Sequence, residues 1–173
     1  MADNDSVAQT FLDDASDLLD QSVVKIRNCL EQLSDQQIWW RHHPESNSAG
    51  NLVLHICGNL RQWAIAGVGG EPEKRDRDSE FAATGGQSGS QLLALTEQTV
   101  SEARQVFQML KADDLLREYV IQGFAVTGLH AISHTTTHFV GHTHQIIFLT
   151  RMQLGADYRF AWSPGSDRKQ LPI

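Results

Sequence analysis

Five of the chain's eight histidines lie in one stretch, LHAISHTTTHFVGHTHQI. Four of them, His130, His134, His138 and His142, are spaced four residues apart, and His144 breaks the series. On an α-helix, a four-residue step rotates a side chain by about 40° and raises it by about 6 Å, so only neighbours in the series can bind one ion. Any of the three neighbouring pairs could supply two ligands, whereas His144 points elsewhere.

A third ligand has to come from another helix. Neutral imidazoles are common ligands of Zn, Ni, Cu and Fe. His55 is the only histidine placed centrally in a second apolar segment, where it shares one helical face with Asn51, Asn59 and Gln62. Three histidine ligands would leave coordination positions open for water. Alternatively, the histidines hydrogen-bond one another inside a metal-free bundle.

Both histidine-bearing segments lack acidic residues. No Asp or Glu occurs at positions 46–70 or 119–156. This excludes the HExxH site of zinc proteases and the carboxylate-rich di-iron bundle. A general base would come from the first helix or from RDRDSEF (75–81), or a metal-bound hydroxide would itself act as the base. The mixed charges of EPEKRDRDSE (71–80) are otherwise typical of a solvated loop.

Four segments with helical periodicity must position these residues. The predicted helices span residues 5–33, 49–68, 90–111 and 126–154. Asn47 or Ser48 can cap the second helix, a single turn is possible near Trp39, and REYVIQG (117–123) is either a short strand or an extended link. The pattern predicts an all-α four-helix bundle in one domain, residues 1–173, with long loops and an irregular C-terminal tail packed down by aromatic side chains, Tyr158, Phe160 and Trp162.

Composition narrows the class of partner. The net charge of -7 argues against binding to nucleic acid or to a membrane surface, both of which are negatively charged. No signal peptide and no apolar run long enough to span a membrane is visible, so a cytoplasmic location is predicted. The two cysteines, Cys29 and Cys57, form no CxxC pair and suit a reducing compartment.

Three segments together resemble the DinB/YfiT-like superfamily of metal-dependent proteins, in particular a branch of uncharacterised bacterial members. They are PESNSAGNLVLHICGNLRQW (44–63), RDRDSEF (75–81) and YVIQGFAVTGLHAISHTTTHFVGHTHQIIFLTRMQLGADY (119–158). The resemblance implies a four-helix bundle that often forms homodimers. It also implies a divalent metal, commonly Ni or Zn, bound by His55, His138 and His142.

One position departs from the superfamily pattern. HTHQI stands where HTGQI is common, so His144 replaces a glycine that can allow close packing. Because His144 points away from the metal, the implied ligand set is retained. His134 lies one turn before His138 and is expected to face the substrate or to support a ligand. In an enzyme, His134, Asn59 and Gln62 are the candidates for orienting water or substrate.

The resemblance leaves several functions open. Relatives in the superfamily include thiol transferases that use low-molecular-weight thiols, isomerases and hydrolases, and a shared fold does not decide among them. The first hypothesis is a metal-dependent hydrolase or thiol transferase acting on a small molecule. The alternatives are a non-catalytic metal-binding or stress-response bundle, and a bundle without metal.

Overall fold

The chain folds into seven α-helices and one two-stranded sheet within residues 3–161, the part that the computed structural model describes. The elements are α1 Asn4–Leu30, α2 Asp35–Ile38, α3 Ala49–Leu60, α4 Arg77–Ala82, α5 Gly89–Met109, α6 Ala112–Leu116, β1 Glu118–Ile121, β2 Phe124–Thr127 and α7 Gly128–Leu154. A π-helical segment, Arg61–Val68, continues α3, and a 3-10 turn, Gly155–Asp157, follows α7.

The four long helices α1, α3, α5 and α7 form the four-helix bundle that the sequence predicts. Helices α1 and α3 each pack against both α5 and α7. The apolar stripe of each long helix faces the bundle interior, where its burial stabilises the fold. The largest fully buried side chains are Leu12, Leu19, Ile26, Ile38, Val53, Ile56, Leu60, Leu92, Phe107, Ile132, Phe139 and Ile146.

Helix α3 begins with a buried capping box. The Ser48 hydroxyl accepts a hydrogen bond from the Asn51 backbone N–H at 3.1 Å, and Asn51 Oδ1 accepts one from the Ser48 backbone N–H at 3.1 Å. The Asn51 amide also donates to the backbone carbonyls of Glu80, at 2.9 Å, and Ala83, at 2.7 Å. Asn51 therefore holds the short helix α4 against the start of α3.

The stretch predicted as a strand or a link forms an antiparallel hairpin. Strands β1 and β2 pair from Glu118 with Thr127 to Ile121 with Phe124. The two-residue turn has positive φ at both Gln122 (54°) and Gly123 (81°), as two-residue hairpin turns often require. Because residues 124–127 pair as β2, the last helix begins at residue 128 and not at 126.

The predicted C-terminal tail is partly described. Tyr158 packs against the core, and its hydroxyl lies 3.4 Å from the amide nitrogen of Asn28. Phe160 is exposed, but its ring contacts that of Tyr158 edge-on, with centroids 5.1 Å apart, and the guanidinium of Arg151, so it packs at the surface and not in the core. Trp162 lies outside the described residues. None of the helices within residues 3–161 has the length and hydrophobicity of a membrane span.

Candidate metal centre

Three of the histidines converge where α3 packs against α7. One nitrogen from each of His55, His138 and His142 lies within 4.8 Å of the other two. The Nε2 atoms of His55 and His138 are 2.9 Å apart, and the rings of His55 and His142 are nearly perpendicular, with centroids 5.0 Å apart. Of the three neighbouring histidine pairs on α7, it is thus the pair His138 and His142 that lies beside His55.

The surroundings of His138 and His142 favour the neutral forms of these two imidazoles. Burial, and then the neighbouring rings of His142 and His55, lower the pKa of His138 to about 4. Burial also lowers the pKa of His142, although a hydrogen bond with Gln145 opposes the shift. Neutral imidazole nitrogens offer lone pairs, and such donors suit divalent transition metals. The donor set therefore fits a divalent metal ion.

A buried carboxylate lies behind His55. Glu80 Oε2 is 3.1 Å from His55 Nδ1. Arg75 donates to both oxygens of Glu80, at 2.7 Å from Nε and 2.8 Å from Nη2. When Nδ1 carries the proton and donates it to Glu80, the Nε2 lone pair faces the other two imidazoles. Carboxylates orient metal-binding histidines in this way in many metal sites.

The ion pair with Arg75 keeps Glu80 charged. Burial alone would raise the pKa of Glu80, but hydrogen bonds from Arg75 and His55, together with their charges, bring that pKa below its ordinary value. The carboxylate is therefore ionised at neutral pH. Its negative charge favours the tautomer of His55 that is protonated on Nδ1, whereas Arg75 Nη2, 3.0 Å from the same nitrogen, opposes it.

The interpretation of residues 71–80 as a solvated loop is wrong at two positions. The side chains of Arg75 and Glu80 are only 4% and 8% exposed. They can be buried because each neutralises the other, and because Gly58 has no side chain: a Cβ there would overlap Glu80 Oε1 and lie 2.9 Å from Arg75 Nε. The sequence indicated that this stretch could supply a general base. Nothing in its pattern indicated that Glu80 would pair with Arg75.

Two residues of the polar face that runs along α3 and its π-helical continuation are engaged in hydrogen bonds. Asn59 Oδ1 accepts from the Thr135 hydroxyl at 2.9 Å, which links α3 to α7. Gln62 Oε1 accepts from Arg75 Nη1 at 2.9 Å and also from the side chain of Gln122. A continuous chain of contacts therefore runs from the hairpin tip through Gln62 and Arg75 to the centre.

A cavity of about 480 Å³ adjoins the histidine cluster. His55, His138 and Asn59 line it, and so do His134 and His130. Gln62, by contrast, is outside its lining and reaches the site through Arg75. The cavity thus connects two of the three converging histidines to solvent and to the predicted substrate-facing residue.

His134 and His144 occupy different surroundings. The His134 ring lies 4.2 Å, centroid to centroid, from the ring of Trp63, and burial followed by the charge of His130 lowers the pKa of His134. His144 is exposed on the outer face of α7. The geometry agrees with the prediction that His144 faces away from the cluster.

The bundle and its histidine cluster define the class of protein. The fold is similar to that of a DinB-like protein from Bacillus cereus ATCC 10987, with a TM-score of 0.62 and 16% identity over 76% of this chain and 85% of that one. It is also similar to the DinB-like protein YjoA from Bacillus subtilis, with a TM-score of 0.60 and 20% identity over 84% of this chain and 97% of that one. The protein has a DinB-like helical fold.

The family follows from the sequence itself. The chain belongs to the DUF1572 family of proteins of unknown function, whose family model matches residues 6–164. No curated protein matches the chain significantly. The resemblance to the DinB-like superfamily is thus confirmed, and any function has to be argued from the site.

Proposed function

We propose that this protein is a metal-dependent enzyme that holds a divalent transition metal, nickel or zinc, at His55, His138 and His142. The proposal is carried by one observation: the three imidazoles converge beside an open cavity that His55 and His138 help to line. A structural ion is usually enclosed by four protein ligands, whereas a catalytic ion keeps a position open. Three nitrogen donors next to a cavity match the second arrangement.

The lining of the cavity supports a small-molecule reaction with an external nucleophile. None of the described residues that line it is a serine, threonine, cysteine, aspartate or glutamate. The nucleophile would therefore be water or a low-molecular-weight thiol, which gives hydrolysis or thiol transfer. A divalent ion, when bound, acts as a Lewis acid toward either of them.

The remaining residues have separate proposed roles. His134 is placed to orient the reacting molecule, because it lies on the cavity wall one turn before His138. Asn59 lines the same wall and is held by Thr135. Gln62 acts indirectly, by holding Arg75 behind Glu80 and His55. These roles rest on position within the site.

Metal analysis of substituted proteins tests the ligand set. Wild-type protein purified without chelator is expected to contain one ion per chain, measured by inductively coupled plasma mass spectrometry. His138→Ala should lose the ion because it removes one of three donors, whereas His144→Ala, on the outer face of the same helix, should retain it. Equal metal content in the two variants, or none in the wild type, would reject the proposal.

Activity is tested on the metal-loaded protein. Small esters, small amides and electrophiles offered together with low-molecular-weight thiols separate hydrolysis from thiol transfer. Turnover with one of these groups, lost in His138→Ala and retained in His144→Ala, is the expected result. An intact metal site without turnover of any of them would favour the second candidate.

The second candidate is a non-catalytic metal-binding or stress-response bundle. It is favoured by the origin of the three imidazoles, since His55 comes from α3 and the other two from α7. An ion would then tie two helices together and contribute to folding. A metal site closed by a fourth protein ligand, seen in a crystal structure of the loaded protein, would support this candidate.

We also propose that the chain forms a homodimer through α7. Phe148 and Met152 lie one turn apart on this helix and are 63% and 45% exposed. Exposed apolar side chains that form one strip are typical of interaction surfaces. Oligomeric state in solution decides this proposal.

A further inference from the structure

The cavity beside the histidine cluster has an unbalanced charge. It is lined by Arg75 and Arg77, and none of its described lining residues is acidic. Arg75 is neutralised by its contacts with Glu80. Arg77 has no carboxylate within ion-pair distance among the residues that the structure describes. Within the described part of the chain, the guanidinium of Arg77 therefore lacks a carboxylate partner and can bind an anion at this cavity.

Arg77 is exposed, and its side chain lies near the cluster by way of Phe81. Its guanidinium lies over the ring of Phe81, 5.0 Å from the ring centroid, and the Phe81 ring lies 4.7 Å from that of His55. Stacking on an aromatic face restricts a guanidinium while leaving its N–H groups free at the edge. Arg77 can thus present two parallel donors close to the histidines.

The lining of the cavity also includes aromatic and apolar side chains. Trp63, Phe124 and Val126 line it. Trp63 is buried, and its indole N–H has no acceptor among the described residues. Because that nitrogen is not accessible to solvent, Trp63 contributes only its apolar ring to the cavity wall. The walls suit a planar apolar group.

A larger cavity on the other side of the Arg75–Glu80 pair gives a contrast. It has a volume of about 670 Å³ and is lined by both acidic and basic residues. There Arg61 forms an ion pair with Glu102 at 2.6 Å. A cavity whose acidic residues outnumber its basic ones has no preference for an anion, so the excess of positive charge distinguishes the histidine cavity from this one.

We propose that the histidine cavity binds a small organic carboxylate with a planar apolar group. Arg77 holds the carboxylate through paired hydrogen bonds, and the planar group lies against Trp63 and Phe124. The inference deepens the proposed function, because it names the substrate class of the same site. Arg77 is then the residue that determines specificity, whereas the histidines hold the metal.

The experiment compares phenylacetate with its neutral analogue phenylacetamide by isothermal titration calorimetry. The protein is treated with chelator first, so that the carboxylate cannot bind to a metal ion. We expect phenylacetate to bind about tenfold more tightly, the effect of one charge-assisted interaction. Arg77→Gln should abolish this preference and Arg77→Lys should keep part of it. Equal binding of the two compounds to the wild type would overturn the proposal.

Two further variants distinguish the effect of the Arg77 charge from that of nearby charges and of the apolar wall. Lys74→Gln removes a positive charge from the same loop but outside the histidine cavity, and should keep the preference. Phe124→Ala, at an exposed position, should weaken the binding of both compounds equally. A preference that survives in Arg77→Gln, or disappears in Lys74→Gln, would also overturn the proposal. Metal content tests the proposed function independently, so the two can fail separately.

Discussion

His55 is the residue on which the candidate metal centre depends, because it is contacted through both ring nitrogens. Its Nδ1 faces Glu80 at 3.1 Å, and its Nε2 faces His138 at 2.9 Å. The carboxylate behind the ring orients His55, and α7 supplies the other two members of the histidine cluster. A change at Glu80 should therefore affect the metal without touching any of its ligands.

We predict that Glu80→Gln lowers the affinity for Zn or Ni. The amide oxygen can still accept from His55 Nδ1, but the negative charge that favours the metal-binding tautomer is lost. Removal of such outer partners typically costs about 10–100-fold in affinity. Competition with a chromogenic chelator measures the change. Glu97→Gln, which removes an exposed carboxylate paired with Arg27 on the surface, is the control and should leave the affinity unaltered.

At the scale of elements, the packing of the segment 75–80 against α3 depends on Gly58. The buried Arg75–Glu80 pair occupies the space where a side chain at this position would lie. A glycine in the middle of a helix lowers helix stability by about 1 kcal/mol relative to alanine. The fold tolerates this loss because the absence of a side chain lets the ion pair approach the helix.

Gly58→Ala is therefore predicted to destabilise the protein in spite of its better helix propensity. Removing one partner of a buried ion pair costs about 3–5 kcal/mol, and we expect even a partial displacement of Glu80 to cost more than the gain of about 1 kcal/mol from alanine. Urea denaturation followed by circular dichroism measures the change. Gly141→Ala, on α7 where a Cβ meets no atom within 4 Å, should stabilise the protein. Equal responses at both positions would contradict the explanation.

The hairpin tip carries the one non-glycine residue with positive φ in the described part of the chain, Gln122. Asparagine adopts this conformation more readily, and Asn-Gly is a preferred pair in such turns. Gln122→Asn should therefore raise the free energy of unfolding by about 0.5–1 kcal/mol, within the range of turn optimisations. A decrease would show that the contact between Gln122 and Gln62 contributes more than the turn strain costs.

For the whole molecule, an ion at the three histidines would link α3 to α7. Binding to the folded state alone stabilises it by about 2.7 kcal/mol when the free ion is at 100 times its Kd. For a protein of this size, such a gain raises Tm by several degrees, roughly 2–4 °C per kcal/mol. Differential scanning calorimetry with and without zinc measures it. His55→Ala should show no zinc-dependent shift.

Oligomeric state also belongs to the whole molecule. If the strip on α7 mediates the proposed homodimer, Phe148→Glu should give a monomer, because a charge replaces an apolar contact. Light scattering after size-exclusion chromatography measures the mass. Val120→Glu, an equally drastic change at a 75% exposed position on the hairpin, should leave the mass as in the wild type. Wild-type protein that is already monomeric would refute the proposal.

The sequence by itself determined the features that depend on local periodicity. The 3.6-residue repeat of apolar side chains predicts the four long helices, and the bundle is confirmed. The four-residue spacing of the histidines limits which of them can share an ion, since rotation and rise along a helix follow from its geometry. The placement of His55 on a second apolar helix pointed to the third member of the cluster.

Only the tertiary structure decided which loop residues complete the site. The segment 71–80 has the composition of a solvated loop, and nothing in its local pattern indicates that Arg75 and Glu80 are buried. A charged residue can leave water only where a partner and a gap such as that at Gly58 meet it, and these come from distant parts of the chain. Arg77, which has no carboxylate partner within residues 3–161, likewise could not be recognised from the sequence, because ion pairs depend on which residues are neighbours in space.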